Sequence, residues 1–342
     1  MRDPSAFEPF RSAGETSGAS SEASSDAAAV NTEVNTEVNT EESAPPAPES
    51  LTDRISEGTQ NVIKAIVGSN RKPPRLFKTL LNGSFLGHPL HPVLTDVPVT
   101  AWIIAAIFDI IWLINPESAS WAARGAQAAV LIGFLGALGA VATGLTDWSD
   151  TYGHERSVGL LHGLFNSTAT LLYLISLLLR YNVFSGSIDF SLSAAESAPA
   201  AIVGFVGLAC VLYGAYLGGD LVYAIGTGVN HTAFEPVVEE FERVAPLDEV
   251  PQNALYKVVA SGVPIILMRM GTNVYALGAT CTHAGGPLDE GELQGDAVQC
   301  PWHGSRFNIK TGRVLTGPAT VAEPRYDTRV RDGYIEIKRH QG

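Results

Sequence analysis

Residues that can do metal chemistry concentrate between Cys281 and His303. The first half reads Cys281-Thr282-His283-Ala284-Gly285-Gly286-Pro287, and the second Cys300-Pro301-Trp302-His303-Gly304-Ser305. Each supplies one thiol and one imidazole, so together they offer two of each. Turn-forming Gly and Pro surround both, as two facing loops would need if they are to close over one metal centre. Gly317-Pro318-Ala319 could form a third, covering loop.

Two centres suit this ligand set. Zinc accepts two Cys and two His in a tetrahedron. A Rieske-type [2Fe–2S] cluster takes the two Cys on one iron and the two His on the other. The usual zinc finger separates its Cys pair from its His pair and carries the His pair on a helix. Here Cys and His alternate, among residues where no helix would run.

Residues from about 244 to 340 resemble a Rieske ferredoxin-type domain. The resemblance rests on Cys281, His283, Cys300 and His303 at all four ligand positions, and on Gly317-Pro318 as the proline loop. It implies Ser305 and Pro318 as neighbours of the cluster. High-potential members carry an extra disulfide between the ligand loops and a Tyr four residues after the second His. This chain has no cysteine for the bridge and has Phe307 at that place. Hydrogen bonds to cluster sulfur stabilise the reduced state. Losing one should put the potential in the lower part of the range of roughly −150 to +300 mV for Rieske centres.

The elements that must position this centre fall into several regions. Of the net charge of −13, residues 1–50 contribute −8, with ten acidic and two basic residues. That tail is Ser-, Ala- and Thr-rich, and its composition predicts disorder. Residues 244–340 balance ten acidic against ten basic side chains, so no general basic patch for nucleic acid exists. The three cysteines leave no disulfide if two bind metal, which suits a reducing compartment.

Residues 51–82 read as an amphipathic helix followed by basic Arg71, Lys72, Arg75 and Lys78, either on a membrane surface or packed on the protein. Four apolar runs, at about 93–114, 122–145, 158–180 and 199–226, are each long enough to span a bilayer. They make residues 83–230 a four-helix transmembrane domain, with a linker at 231–250 that contains a short acidic helix. Residues 251–342 then alternate as strands: 256–259, 263–267, 274–277, 297–299 and 334–337. The expected fold is therefore α + β and multidomain, a transmembrane four-helix bundle followed by a small antiparallel β domain. Six Lys and Arg lie between 51 and 80 and none in the 115–121 loop. This charge bias predicts both termini and the cluster domain in the cytoplasm, on a bacterial inner membrane.

Five further histidines, His88, His91, His154, His162 and His231, fall at the inner end of these spans. The Gly87-His88-Pro89-Leu90-His91-Pro92 opening resembles a family of four-helix bacterial membrane proteins of unknown function. The histidines are candidates for binding haem b, a metal or a quinone. His162 is the first choice as axial ligand, with His88 or His91 as its partner. These features predict a membrane-anchored carrier with one [2Fe–2S] cluster and separate redox partner proteins, rather than a stand-alone enzyme. The alternatives are a membrane oxidoreductase using a haem or quinol in its helices, or a zinc-stapled scaffold.

Overall fold

The computed structural model describes residues 51–68, 76–186 and 195–341. The acidic tail, Arg71, Lys72 and Arg75 lie outside the described residues. The apolar runs form α3 (Leu90–Ile114), α4 (Ser120–Trp148), α5 (Gly153–Arg180) and α6 (Ala198–Gly219). A wider π turn extends α6 over Asp220–Ile225. All four are long and apolar enough to cross a bilayer. Each starts a few residues before the apolar run or at its edge, because polar residues at an interface still continue a helix.

Their packing follows from small residues. A Cβ on Gly133 would lie 2.3 Å from Trp102, and one on Gly136 2.6 Å from Val97. Missing side chains thus let α3 and α4 touch closely. Trp102 in turn stacks on Tyr173 of α5, with ring centroids 4.0 Å apart. Outward positions such as Ile107, Leu135, Leu171 and Leu212 stay exposed, which makes the bundle's outer surface apolar. Near one end, fully buried Arg180 pairs with buried Asp109.

Helix α1 (Leu51–Val67) lies against the opposite end. It buries Ser56, Gln60 and Ile63, and Gln60 Nε2 donates to the carbonyls of Trp148 and Thr151 at 2.8 and 3.1 Å. Ile55, Val62 and Ile66 point outward. One face packs on the protein while an apolar face stays open. Lys78, on α2 (Leu76–Asn82), corrects the expectation of a basic surface there: it is fully buried and ion-paired to Asp150 at 2.8 Å.

The predicted acidic helix at 231–250 does not form. Glu242–Pro246 is instead strand β1, an edge strand on β10 (Tyr334–Arg339), and Val238 is buried in the sheet's core. Strand pairing offers these backbone groups partners that an isolated helix of a few residues would lack. The β domain holds two antiparallel sheets. One has the order β1-β10-β9-β4-β3-β2, with β2 Leu255–Ala260, β3 Val263–Met270, β4 Asn273–Gly278, β9 Arg325–Arg331 and β10 Tyr334–Arg339. The other runs β5-β6-β7-β8 over Glu292–Gln294, Ala297–Gln299, Arg306–Asn308 and Val314–Thr316. Strand β3 serves two cores by its period of two. Ile265 and Leu267 enter one, while Ile266 and Met268 enter the core that contains Cys281 and Cys300.

Candidate metal centre

The two ligand loops are built alike. Cys281 N–H donates to Gly286 O at 2.8 Å, and Gly285 N–H donates back to Cys281 O at 2.8 Å. Cys300 N–H donates to Ser305 O at 2.8 Å, and Gly304 N–H to Cys300 O at 3.2 Å. Each loop therefore bonds residue i to i+5 and i+4 to i, with Gly at i+4. Gly285 and Gly304 have φ of 75° and 76°, a left-handed conformation that disfavours side chains. The first loop joins β4 to β5 and the second joins β6 to β7, so each sheet helps to carry the site.

Both thiols sit in the core among Phe307, Leu277 and Leu288, each 1% exposed. A Cβ on Gly286 would come within 2.8 Å of Cys300 Sγ and 3.1 Å of Trp302, so only glycine leaves room there. The adjacent Cys300 thiol, with burial, pushes the Cys281 thiol well above its ordinary range. A bound cation would reverse that balance and favour the thiolate. The His283 and His303 rings lie 4.9 Å apart, centroid to centroid. Burial first, then His303 and His231, lowers His283 to about 3, so it is neutral at physiological pH, the form that binds metal. Its Nδ1 is buried with no hydrogen-bond partner among the described residues. A buried ring nitrogen of a neutral imidazole left open beside a second histidine fits a metal ligand.

The third loop closes over this centre. Gly317 has φ of 116°, and a Cβ there would stand 2.4 Å from Ser305 Cα. Ala319 N–H donates to the fully buried Ser305 Oγ at 3.1 Å, which leaves the hydroxyl proton free to donate inward. Sequence reasoning missed Glu323. It is buried, accepts from Thr282 N–H at 2.7 Å, and is raised by burial to about 8. No spacing signal links it to Cys281, forty-two residues earlier in the chain.

The imidazole side does not form an open tip. Tyr152, between α4 and α5, sets its ring 5.1 Å from His303. His231 N–H donates to Thr282 O at 3.2 Å, beside the first loop. Ser84 Oγ donates to Gly317 O and Ala319 O at 3.1 and 3.2 Å. Three segments at one end of the bundle thus cover the histidine side and the third loop. Of the five membrane-end histidines, His91 and His162 come together, with ring centroids 6.2 Å apart. His231 joins the ligand loops instead. His88 is exposed, with Nδ1 near its neighbour's Pro89 O, and exposed His154 makes no recorded side-chain contact among the described residues.

Comparison with known proteins divides the chain at the same place. Residues 87–231 match a family of predicted membrane proteins, DUF2231, and residues 240–329 match the Rieske [2Fe–2S] domain. Ferredoxin CarAc of Metapseudomonas resinovorans is 38% identical over 74 residues, 22% of this chain and 69% of that protein. The ferredoxin component of the naphthalene 1,2-dioxygenase/salicylate 5-hydroxylase systems of a Ralstonia species is 30% identical over 28% of this chain and 90% of its own. The 3-phenylpropionate/cinnamic acid dioxygenase ferredoxin subunit of Escherichia coli K12 is 37% identical over 27% and 87%.

Proposed function

We propose that this chain, which belongs to the Rieske [2Fe–2S] family and joins that domain to a DUF2231 membrane domain, passes electrons between its cluster and the membrane. The observation that carries this reading is the donor set: two core thiols and, beside the bundle, two imidazoles, of which His283 is held neutral. Cys281 and Cys300 would hold one iron, His283 and His303 the other. The bound cluster supplies a one-electron couple. The surrounding chain excludes water from the thiols, keeps His283 neutral, and holds Tyr152 against His303. Segments of the protein's own membrane domain cover the histidine side, which favours the membrane oxidoreductase reading over a simple tethered carrier. A partner oxidoreductase, such as the oxygenases that the relatives' names imply, would then approach a flank, where Trp302 is 49% exposed.

Zinc fits less well. It needs four donors on one point, and among the described residues no three His, Cys, Asp or Glu converge that way. The Lys and Arg distribution supports a cytoplasmic cluster domain, and the open apolar face of α1 suits the inner face of a bacterial inner membrane.

Iron, acid-labile sulfide and visible absorption of the detergent-purified protein test the reading. Two irons and two sulfides per chain are expected, with cluster absorption abolished by Cys281→Ser. Zinc without sulfide would overturn the redox reading. A Cys281→Ser protein that keeps its full spectrum would overturn the ligand assignment.

A further inference from the structure

His91 and His162 are held by the same device on two different helix pairs. His91, on α3, donates from Nδ1 to Ala140 O of α4 at 2.9 Å. His162, on α5, donates from Nδ1 to Gly214 O of α6 at 2.8 Å. A carbonyl oxygen can only accept, so both Nδ1 atoms carry the proton and both Nε2 atoms keep a lone pair. In each case a glycine four residues beyond the acceptor makes room for the ring. A Cβ on Gly144 would lie 2.6 Å from His91 Cε1, and one on Gly218 3.1 Å from His162 Cε1.

Neither lone pair has a good partner. His91 Nε2 has none among the described residues. Asn166 Nδ2 lies 3.4 Å from both ring nitrogens of His162, so it faces the ring and not the Nε2 lone pair; its own bond goes to His162 O at 2.8 Å. An imidazole that donates Nδ1–H to a backbone carbonyl and leaves Nε2 open has the arrangement of a metal ligand.

The separation also fits. Two imidazoles bound to opposite sides of one metal at about 2.0–2.1 Å, each ring about 1.1 Å in radius from bond lengths near 1.33 Å, place their centroids roughly 6.3 Å apart. The observed distance is 6.2 Å, with the ring planes 85° apart. A bare ion would want more protein donors, and no third His, Cys, Asp or Glu joins the pair among the described residues. A porphyrin brings four nitrogens of its own, and needs two axial ligands. No Cys-x-x-Cys-His run exists for covalent attachment.

We propose that His91 and His162 are the two axial ligands of a non-covalent, b-type haem at the seam between the α3–α4 and α5–α6 pairs. This deepens the electron-transfer reading and rests on it. Helix α5 begins one residue after Tyr152, which touches His303. His162 follows nine residues into the helix, about 14 Å at 1.5 Å per residue. A haem held there by His91 and His162 would supply a second one-electron couple in the same chain as the cluster's.

The test uses the full chain in detergent, titrated with haemin and followed by reduced-minus-oxidised spectra. The wild type should bind one haem per chain with sharp six-coordinate bands over the broad cluster absorption. His91→Ala and His162→Ala should each lose those bands and keep the cluster absorption, while His88→Ala and His154→Ala keep both. Should an alanine variant fail to fold, His162→Gly with added imidazole should regain the bands. Wild-type protein with an intact cluster that binds no haem overturns this proposal alone, as do bands that persist in both alanine variants or imidazole that restores nothing. Haem bands without any cluster would instead defeat the electron-transfer reading.

Discussion

Ser305 offers the sharpest test of how this fold tunes its centre. Its side chain is fully buried, and its Oγ accepts from Ala319 N–H at 3.1 Å. That leaves its own proton to donate toward the cluster. Ser305→Ala removes both interactions. The Ala319 amide loses its acceptor inside the protein, a cost of about 1–3 kcal/mol. A hydrogen bond to a charged acceptor is worth about 1 kcal/mol more than one to a neutral acceptor. The reduced cluster carries one more negative charge, so it should lose about that much more than the oxidised cluster. For a one-electron couple, where 59 mV is tenfold, this lowers the potential by about 40 mV. Potentiometric titration of the purified variant, followed by the cluster absorption, reads the shift directly. Thermal release of the cluster should move to lower temperature in the same protein. A potential that stays level or rises, with the cluster retained, would refute the inward-donating hydroxyl.

Three other outcomes follow from named contacts. Gly317→Ala forces a side chain into a positive-φ position and against Ser305 Cα; it should destabilise the β domain by at least about 1–3 kcal/mol, seen as earlier cluster loss on heating. Acid should destabilise the cluster-free protein. His283 is lowered to about 3 by burial and its neighbours, so below the unfolded value of about 6.5 the unfolded chain binds the extra proton. Stability then falls by at most about 1.4 kcal/mol per pH unit from about 6.5 toward 3; denaturant titrations showing no change over that window would contradict the buried neutral imidazole. Asp109→Leu leaves Arg180 buried without its carboxylate, a loss of about 3–5 kcal/mol, and should lower the melting temperature in detergent clearly, whereas Asp96→Leu, at an exposed position, should change it little.

Much of this architecture is legible along the chain because its causes are local. Four apolar runs became four helices, since length and hydropathy alone decide whether a segment can cross a bilayer. The five expected strands appear as β2, β3, β4, β6 and β10. Short β5, β7 and β8, each three residues long, carry too little pattern to be seen. Charged β9 (Arg325–Arg331) reads as surface. Glu235, Glu239, Glu240 and Glu242 suggest a short helix, and only pairing with β10, some ninety residues away, makes Glu242–Pro246 a strand.

The proposed ligand set likewise lies in two short motifs, because each loop closes through hydrogen bonds between residues five or fewer apart. The sequence by itself therefore determined the two loops that carry the proposed donors and the membrane helices. Tertiary structure decided their surroundings. Glu323 reaches Thr282, Tyr152 covers His303, and Lys78 is drawn from a basic stretch into a buried pair with Asp150. It also chose His91 and not His88 as the partner of His162, by pinning each ring to a carbonyl of a neighbouring helix. These contacts join residues from forty to more than one hundred and fifty positions apart. Their geometry depends on how helices and sheets pack, which no local spacing encodes.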